Sequence, residues 1–238
     1  MPSAKQVEVD EPLRGQNDGL ASDIYSLLHE IQVSNVSRLN SLHGRGRVLF
    51  AEGEPARGVY ILRMGRASQS ISSSEGRIVI LRMAQAGDVL GLNSVLRNAS
   101  YDTTVKALQP CRTDFISRAH LIELMERSQR GAHAMLKILS HELTELTDRA
   151  RLLLLPQTAL GRLARLLLQA CYDSDGSKSS SSRIERVFTH EEMAQMICSS
   201  RETVTRLLAT LSKQQVIRVT PDSILIGDRP ALEKIALG

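Results

Sequence analysis

Tryptophan is absent from the 238 residues, and the aromatic share is only 3%. Proteins that grip single-stranded nucleic acid stack bases on aromatic side chains, so that mode of binding is disfavoured. Cysteine is also scarce. Cys111, Cys171 and Cys198 are widely separated and form no Cys-x-x-Cys pair, which argues against structural zinc. The six histidines are scattered. His133 and His141 stand eight apart on one expected helix, without a third ligand, so no metal site is expected. No run of about 18 apolar residues and no secretory hydrophobic segment occurs, and the chain reads as a soluble, cytoplasmic protein without membrane contact. Walker A, Gly-x-Ser-x-Gly and His-Glu-x-x-His signatures are missing. With only 27 residues after position 211, no room remains there for a catalytic domain, and the chain reads as a non-enzyme.

A strong charge bias is lacking too. The chain carries 30 basic and 26 acidic residues, a net charge of +4. Division at residue 156 leaves 19 basic against 17 acidic residues before it and 11 against 9 after it, +2 on each side. Any nucleic-acid affinity therefore depends on where charges are placed and not on bulk charge. The 42% hydrophobic content suffices for globular cores, and the length suggests two domains.

Residues 1–20 are polar and read as a flexible tail. Ile24, Leu27, Leu28 and Ile31, then Val36, Leu39 and Leu42, suggest one or two short helices. From 44 to 116, short β-rich runs alternate with glycines: 47–50, 59–63, 67–72, 77–82, 105–107 and 112–116. Regular short strands with glycine turns, one of them at Ser74-Glu75-Gly76, predict an antiparallel barrel or sandwich. Helical spacing then returns over 118–126 and in a long stretch to Leu155. There Leu136, Leu139, Leu143, Leu146, Ala150 and Leu153 repeat with spacings of 3, 4, 3, 4 and 3. That is a heptad seam, suited to a two-stranded coil between subunits. Glu142, Glu145, Asp148, Arg149 and Arg151 fit flanking positions. Pro156 ends the helix.

Beyond it the spacing predicts a helix over 158–171, a Ser-rich solvated loop over 173–183 and a short strand at 186–188. A hairpin of 216–220 and 223–226 follows, and a last helix over 230–237. The domain plan is therefore a tail at 1–20, a β-domain at 21–128, a dimerisation helix at 129–155 and a C-terminal domain at 157–238.

The most informative stretch is 189–211, THEEMAQMICSSRETVTRLLATL. Thr189 with Glu192 fits a capping box, and Met193, Met196 and Ile197 form one apolar face. Cys198-Ser199-Ser200 interrupts the pattern, and Ser199 with Glu202 offers a second capping box. Val204, Leu207, Leu208 and Leu211 then make a buried stripe, leaving Arg201, Glu202, Thr205 and Arg206 outward. A helix, a tight turn and a helix with polar side chains at its start is the geometry that enters a DNA major groove. Arg201 and Arg206 can each donate two hydrogen bonds to guanine O6 and N7. Glu202 can accept from cytosine N4, and Thr205 can touch a thymine methyl or a phosphate. The competing reading is a solvated helix face with a Glu202–Arg206 pair worth only ~0.3 kcal/mol.

Ser200-Arg201-Glu202-Thr203-Val204-Thr205-Arg206 resembles the recognition helix of the Crp/Fnr family of bacterial transcription regulators, most closely its cyclic-AMP-receptor branch. The resemblance extends over about residues 22–238. Gly53-Glu54, Tyr60-Ile61 with Gly65, Glu75-Gly76 and Gly87-Asp88 are similar to the family's cyclic-nucleotide-binding β-roll. It implies an α+β chain with an antiparallel β-roll, a long dimerisation helix and a C-terminal winged helix-turn-helix. The implied DNA-binding set is Ser199, Ser200, Arg201, Glu202, Thr203, Thr205 and Arg206, reading a palindrome of TGTGA-like half-sites. The implied partners are double-stranded DNA, a second copy of the chain and RNA polymerase.

The effector pocket departs from that pattern. The resemblance places it at Gly91, Leu92, Asn93, Tyr101, Asp102 and Thr103. Leu92 replaces the branch's ribose-binding Glu, and Tyr101-Asp102 replace the Arg-Ser that hold the cyclic phosphate. A buried phosphate needs a cation or several N–H donors, so cyclic AMP in the usual pose is not expected. An iron–sulfur cluster is not expected either, because residues 1–110 hold no cysteine. For haem, His43 is the nearest axial candidate and stands alone. The effector is therefore left unidentified. An effector-independent regulator, a redox-responsive one acting through Cys111, and an adaptor without DNA readout stay open as alternatives.

Overall fold

The computed structural model describes residues 29–31, 38–156, 158–172, 183–185 and 188–237. The expected tail at 1–20 and most of the Ser-rich loop lie outside them. Eleven strands are described, beginning with β1 (Leu39–His43), β2 (Val48–Phe50), β3 (Gly58–Met64) and β4 (Arg66–Ser72). Next come β5 (Ile78–Gln85), β6 (Val89–Leu90), β7 (Thr104–Ala107) and β8 (Cys111–Ser117). These eight form two antiparallel four-stranded sheets, ordered β1-β8-β3-β6 and β2-β7-β4-β5. Val59, Ile61, Val89, Val105 and Ile116 on the strands belong to the core of the β-roll. Such β-branched side chains suit a pleated, half-buried surface. Gly76, at φ 78°, closes the β4–β5 hairpin in a conformation that other residues adopt at a cost.

A short helix α1 (Leu92–Leu96) sits between β6 and β7. Helix α2 (Arg118–Arg127) starts where Ser117 Oγ accepts the His120 N–H, and α3 (Gln129–Leu154) where Ser128 Oγ accepts the Gly131 N–H. Each cap satisfies an N–H that the first helical turn leaves without a partner. Met135 and Ile138 on α3 join the core of the β-roll. The helix stops before the buried Pro156.

Beyond the proline lie α4 (Ala159–Tyr172), β9 (Arg183–Glu185), α5 (His190–Met196) and α6 (Arg201–Lys213). β10 (Ile217–Val219), β11 (Ser223–Ile226) and α7 (Arg229–Leu237) complete the chain. β10, β11 and β9 make a three-stranded sheet beside the helices, the wing. A second apolar cluster, with Leu163, Leu167, Ile197, Val204, Leu208, Leu211 and Leu232, holds this part together. Leu152 of α3 and Ile80 of β5 belong to that cluster too, so the two halves touch.

Several expectations are corrected. Leu39 and Leu42 are not helical: they lie on β1, which pairs antiparallel with β8 from Leu39↔Phe115 to His43↔Cys111, and both are exposed. The pairing is reinforced by side chains, since Asn40 Nδ2 donates to Asp114 Oδ1 at 3.0 Å and His43 shares a hydrogen bond with Thr113 Oγ1 at 2.9 Å. Those partners are far away in sequence, and helical spacing cannot reveal them. The third wing strand is Arg183–Glu185, ahead of the expected 186–188; Ile184 is buried opposite Ile224, Phe188 is outside any strand, and 186–187 lie outside the described residues. Arg183 thereby leaves the expected loop. The two-residue strand β6 was not anticipated.

The stripe on α3 divides. Leu136, Leu143 and Leu146 are 62%, 67% and 47% exposed, and Ala150 is exposed as well. Leu139 instead packs against the β-roll core and Leu153 against the C-terminal cluster. Nor do Glu142, Glu145 and Arg149 simply flank the stripe. They continue the inward phase of Ile138 and Leu152, and Arg149 is buried.

Candidate nucleic-acid interface

Helix α5 begins with a full capping box. Thr189 Oγ1 accepts the Glu192 N–H at 3.1 Å, and the Glu192 carboxylate accepts the Thr189 N–H at 2.6 Å. Met193, Ala194, Met196 and Ile197 are buried. The chain then reverses through Cys198, whose φ of 52° is in the left-handed region. Ser199 N–H returns to the Ala194 carbonyl at 2.9 Å.

The expected capping box of Ser199 with Glu202 does not form. Ser200 caps α6, its Oγ accepting the Thr203 N–H at 3.1 Å. Glu202 is therefore the second residue of the helix, and Thr203 occupies the third position. The Glu202 carboxylate is held below its ordinary pKa by its own backbone N–H and then by the Ser200 hydroxyl. The positive end of the helix favours the same anion.

Val204, Leu208 and Leu211 seat α6 in the core, and Leu207 is half-buried. Arg201, Glu202, Thr205 and Arg206 are all exposed; Ser199 and Thr203 are half-buried. Among the described residues no Glu202–Arg206 ion pair forms, so both arginine heads face solvent. Thr205 is held twice, by donating to the Arg201 carbonyl at 3.0 Å and by sharing a hydrogen bond with His190 Nδ1 at 2.8 Å. The sequence reading missed His190; its sign was its place one residue after the N-cap of α5. The expected DNA-binding residues thus gather at the exposed start of one helix.

Among the expected pocket residues, Gly91 meets Tyr101 and Asn93 meets Asp102. Gly91, at φ 83°, precedes α1, and a Cβ there would lie 2.7 Å from the Tyr101 ring. Tyr101 is buried and stacked on Phe50 with ring centroids 3.9 Å apart, and its hydroxyl donates to the Gly58 carbonyl at 2.6 Å. Burial, then the neighbouring Tyr60, pushes that hydroxyl up to about 12.

Asp102 accepts from Asn93 Nδ2 at 2.9 Å, from Ser94 Oγ at 3.1 Å and from Arg97 at 3.3 Å. Its backbone N–H also reaches Ser94 Oγ at 3.1 Å. Leu92 points into the core. Thr103 turns away to accept from Gln69 Nε2 at 3.0 Å. Lys106, between buried Val105 and Ala107 on β7, is exposed. The donors that surround Asp102 are thus engaged by a carboxylate of the chain itself.

His43 and Cys111 are engaged within the protein as well. His43 Nε2 bonds Thr113, and burial, then Arg47, lowers its pKa. Cys111 is buried, with Sγ 3.3 Å from the Arg66 carbonyl and 3.2 Å from that of Gln109; burial raises its pKa and favours the thiol. Among the described residues no group of three His, Cys, Asp or Glu is placed to hold a metal ion, and no helix is long and apolar enough to cross a membrane.

A β-roll joined through a long helix to a winged helix-turn-helix defines a class of two-domain DNA-binding regulators. Residues 43–128 match the model of the cyclic nucleotide-binding domain, and residues 161–235 match that of the Crp-like helix-turn-helix domain. The chain belongs to the Crp/Fnr family of transcription regulators and is a DNA-binding member of it.

It is 27% identical over 192 residues to the CRP-like cAMP-activated global transcriptional regulator of Mycobacterium tuberculosis, covering 81% of this chain and 85% of the relative. It is 25% identical over 197 residues to the cyclic AMP receptor protein of Thermus thermophilus, covering 83% and 88%. In fold it is similar to FixK2 from Bradyrhizobium japonicum, with a TM-score of 0.70, 21% identity and coverage of 84% and 98%.

Proposed function

We propose that the chain is a homodimeric regulator that reads a palindrome of TGTGA-like half-sites through Arg201, Glu202 and Arg206. The observation that carries this reading is the start of α6. Two exposed guanidinium groups and one exposed carboxylate stand together on one face, while Ser200 and the Val204–Leu208–Leu211 stripe fix the helix beneath them. Ser199, Ser200 and Thr203 at the turn are assigned to backbone phosphates, contacts that position without specifying sequence. The exposed Leu136, Leu143, Leu146 and Ala150 support pairing through α3, since burying a leucine side chain is worth about 1.5–3 kcal/mol. We take residues 21–128 as the sensor unit, 129–155 as the pairing helix and 157–238 as the DNA-binding unit, in the cytoplasm with RNA polymerase as a partner.

Two relatives are named for cyclic AMP. This chain offers a carboxylate, Asp102, where that ligand's phosphate would need positive charge. We therefore read it as a regulator that does not take a cyclic phosphate in that pose.

Fluorescence anisotropy of the ligand-free protein tests the proposal, on a TGTGA-N6-TCACA duplex, a single half-site and a scrambled control at fixed near-physiological salt. Preference for the palindrome over the scrambled duplex by about 10³-fold or more is expected, with the half-site far weaker than the palindrome. Equal binding to all three duplexes overturns the reading.

A further inference from the structure

Helix α3 carries a buried arginine where the two apolar clusters meet. Arg149 is only 7% exposed. Its Nη2 donates to the Ile80 carbonyl on β5 and to the Met196 carbonyl at the end of α5. Among the described residues no carboxylate pairs with it. Burial pulls its pKa down to about 10, which leaves it charged at neutral pH.

Both acceptors need an outside donor. β5 is the edge of its sheet, and its pairing with β4 shifts register between Gln69↔Arg82 and Ser70↔Ile80. Carbonyls on an outer edge have no ladder partner. Met196 is the last residue of α5, and the final carbonyls of a helix lack intrahelical donors, while a cation there also meets the negative end of the helix dipole. One guanidinium therefore closes two open ends from different parts of the molecule. Arg162 of α4 takes the next carbonyl, that of Ile197, through Nε at 2.8 Å. Ile80 and Leu152 pack with Met193 and Ile197 in the same apolar cluster.

We propose that Arg149 is a positioning residue for DNA reading: it pins α5, and with it the recognition helix α6, to the dimerisation helix and the β-roll. This rests on the dimeric, palindrome-reading function above. If α3 pairs two subunits, the pin on each α3 fixes the separation of the two recognition helices. Operator spacing is then set by Arg149, although it touches no base. A residue that only filled the core would contribute to stability and leave spacing alone.

The test compares wild type with Arg149→Met, which keeps bulk and removes every donor, and with Arg149→Lys, which keeps the charge. Anisotropy is measured on half-sites separated by five, six and seven base pairs, and on a single half-site. Wild type should prefer one spacing by about tenfold or more, Arg149→Met should bring the three within about threefold of each other with half-site affinity unchanged, and Arg149→Lys should fall between. Amide hydrogen exchange without DNA provides a second readout. Arg149→Met should expose residues 78–83 and 190–198 together and leave 58–62 protected. Wild-type spacing preference retained in Arg149→Met overturns the proposal, as does exchange that rises everywhere or nowhere. Wild-type protein without any spacing preference, but with the paired exchange response, would sink the palindrome reading and keep the pin.

Discussion

The start of α6 and the region around Asp102 both gather charged and polar side chains, yet they are opposite in kind. At α6 the scaffold is satisfied and the tips are exposed. Ser200 caps the helix, His190 and the Arg201 carbonyl hold Thr205, and Arg201, Glu202 and Arg206 remain exposed. Around Asp102 the tips themselves are consumed: Asn93, Ser94 and Arg97 all donate to one carboxylate. A binding site must withhold its polar groups from the protein so that a ligand can take them. By that measure α6 is prepared for an outside partner, whereas the expected effector pocket has supplied its own anion.

The sharpest way to break the comparison is at the recognition helix. Arg201→Ala and Arg206→Ala should each cost about 1–3 kcal/mol of operator discrimination and relax specificity at one base pair, because a bidentate guanine contact is lost. Melting temperature should barely move, since both side chains are exposed and, among the described residues, neither makes an ion pair or side-chain hydrogen bond. Anisotropy against duplexes altered at single positions, with thermal melts alongside, checks both halves. A uniform loss across all sequences would make these residues phosphate contacts instead of base readers.

The recognition helix was readable from its sequence because its signals are local. A stripe at 204, 208 and 211, a break at 198–200 and polar residues between them need no knowledge of the rest of the chain. Most β-roll strands were readable for a similar reason, through short alternating runs ended by glycine. What escaped depended on distant partners. β1 exists because β8 accepts it, and Leu39 and Leu42 happen to sit at helical spacing. The cap moved from Ser199 to Ser200 because Cys198 takes the left-handed turn, which no residue type there announces. Arg149 looked like a surface charge beside a heptad seam. Its clue was phase: 138, 142, 145, 149 and 152 continue one inward stripe, and an inward stripe that turns charged implies buried polar partners. Nothing local in the sequence announces that Asn93, Ser94 and Arg97 donate to Asp102.

The cluster between the β-roll and α3 lies between the two extremes. Arg82, its side chain 12% exposed, pairs with Glu145 at 2.9 Å, Glu142 at 3.5 Å and Asp88 at 3.5 Å; His141 stands 3.8 Å from Glu145. Burial raises Glu142 to about 7; Arg82 opposes the rise, and Glu145 and Asp88 add to it. The folded state therefore holds a proton on Glu142 that the unfolded chain, near 4.5, releases earlier. Between those values the folded state binds more protons, so stability falls as pH rises and levels off above about 7. Glu142→Gln removes that dependence. It should gain on wild type by about 1–3 kcal/mol between pH 5 and pH 8, measured by urea unfolding at both. Equal destabilisation of the variant at both pH values would mean that the Arg82–Glu142 ion pair outweighs the burial of the carboxylate.

The smallest expected effect is also the one that most directly sharpens the contrast. Asp102→Ala takes an acceptor from Asn93, Ser94 and Arg97, on a side chain that is 44% exposed. Water can replace much of what is lost, so the cost in stability should be about 0.5–1.5 kcal/mol. Operator affinity should stay within about twofold, because the released donors lie in the β-roll and an equilibrium shifts only when the two states differ in interaction energy at the altered site. Cyclic AMP should still leave the melting temperature of the variant unmoved, because the substitution removes a carboxylate and adds no cation for a phosphate. Thermal melts with and without the nucleotide, and anisotropy on the same operator, read all three quantities. A melting rise with cyclic AMP would show that Asp102 alone closes the pocket. An operator affinity changed tenfold, without nucleotide, would show that this carboxylate already acts on the DNA-binding half.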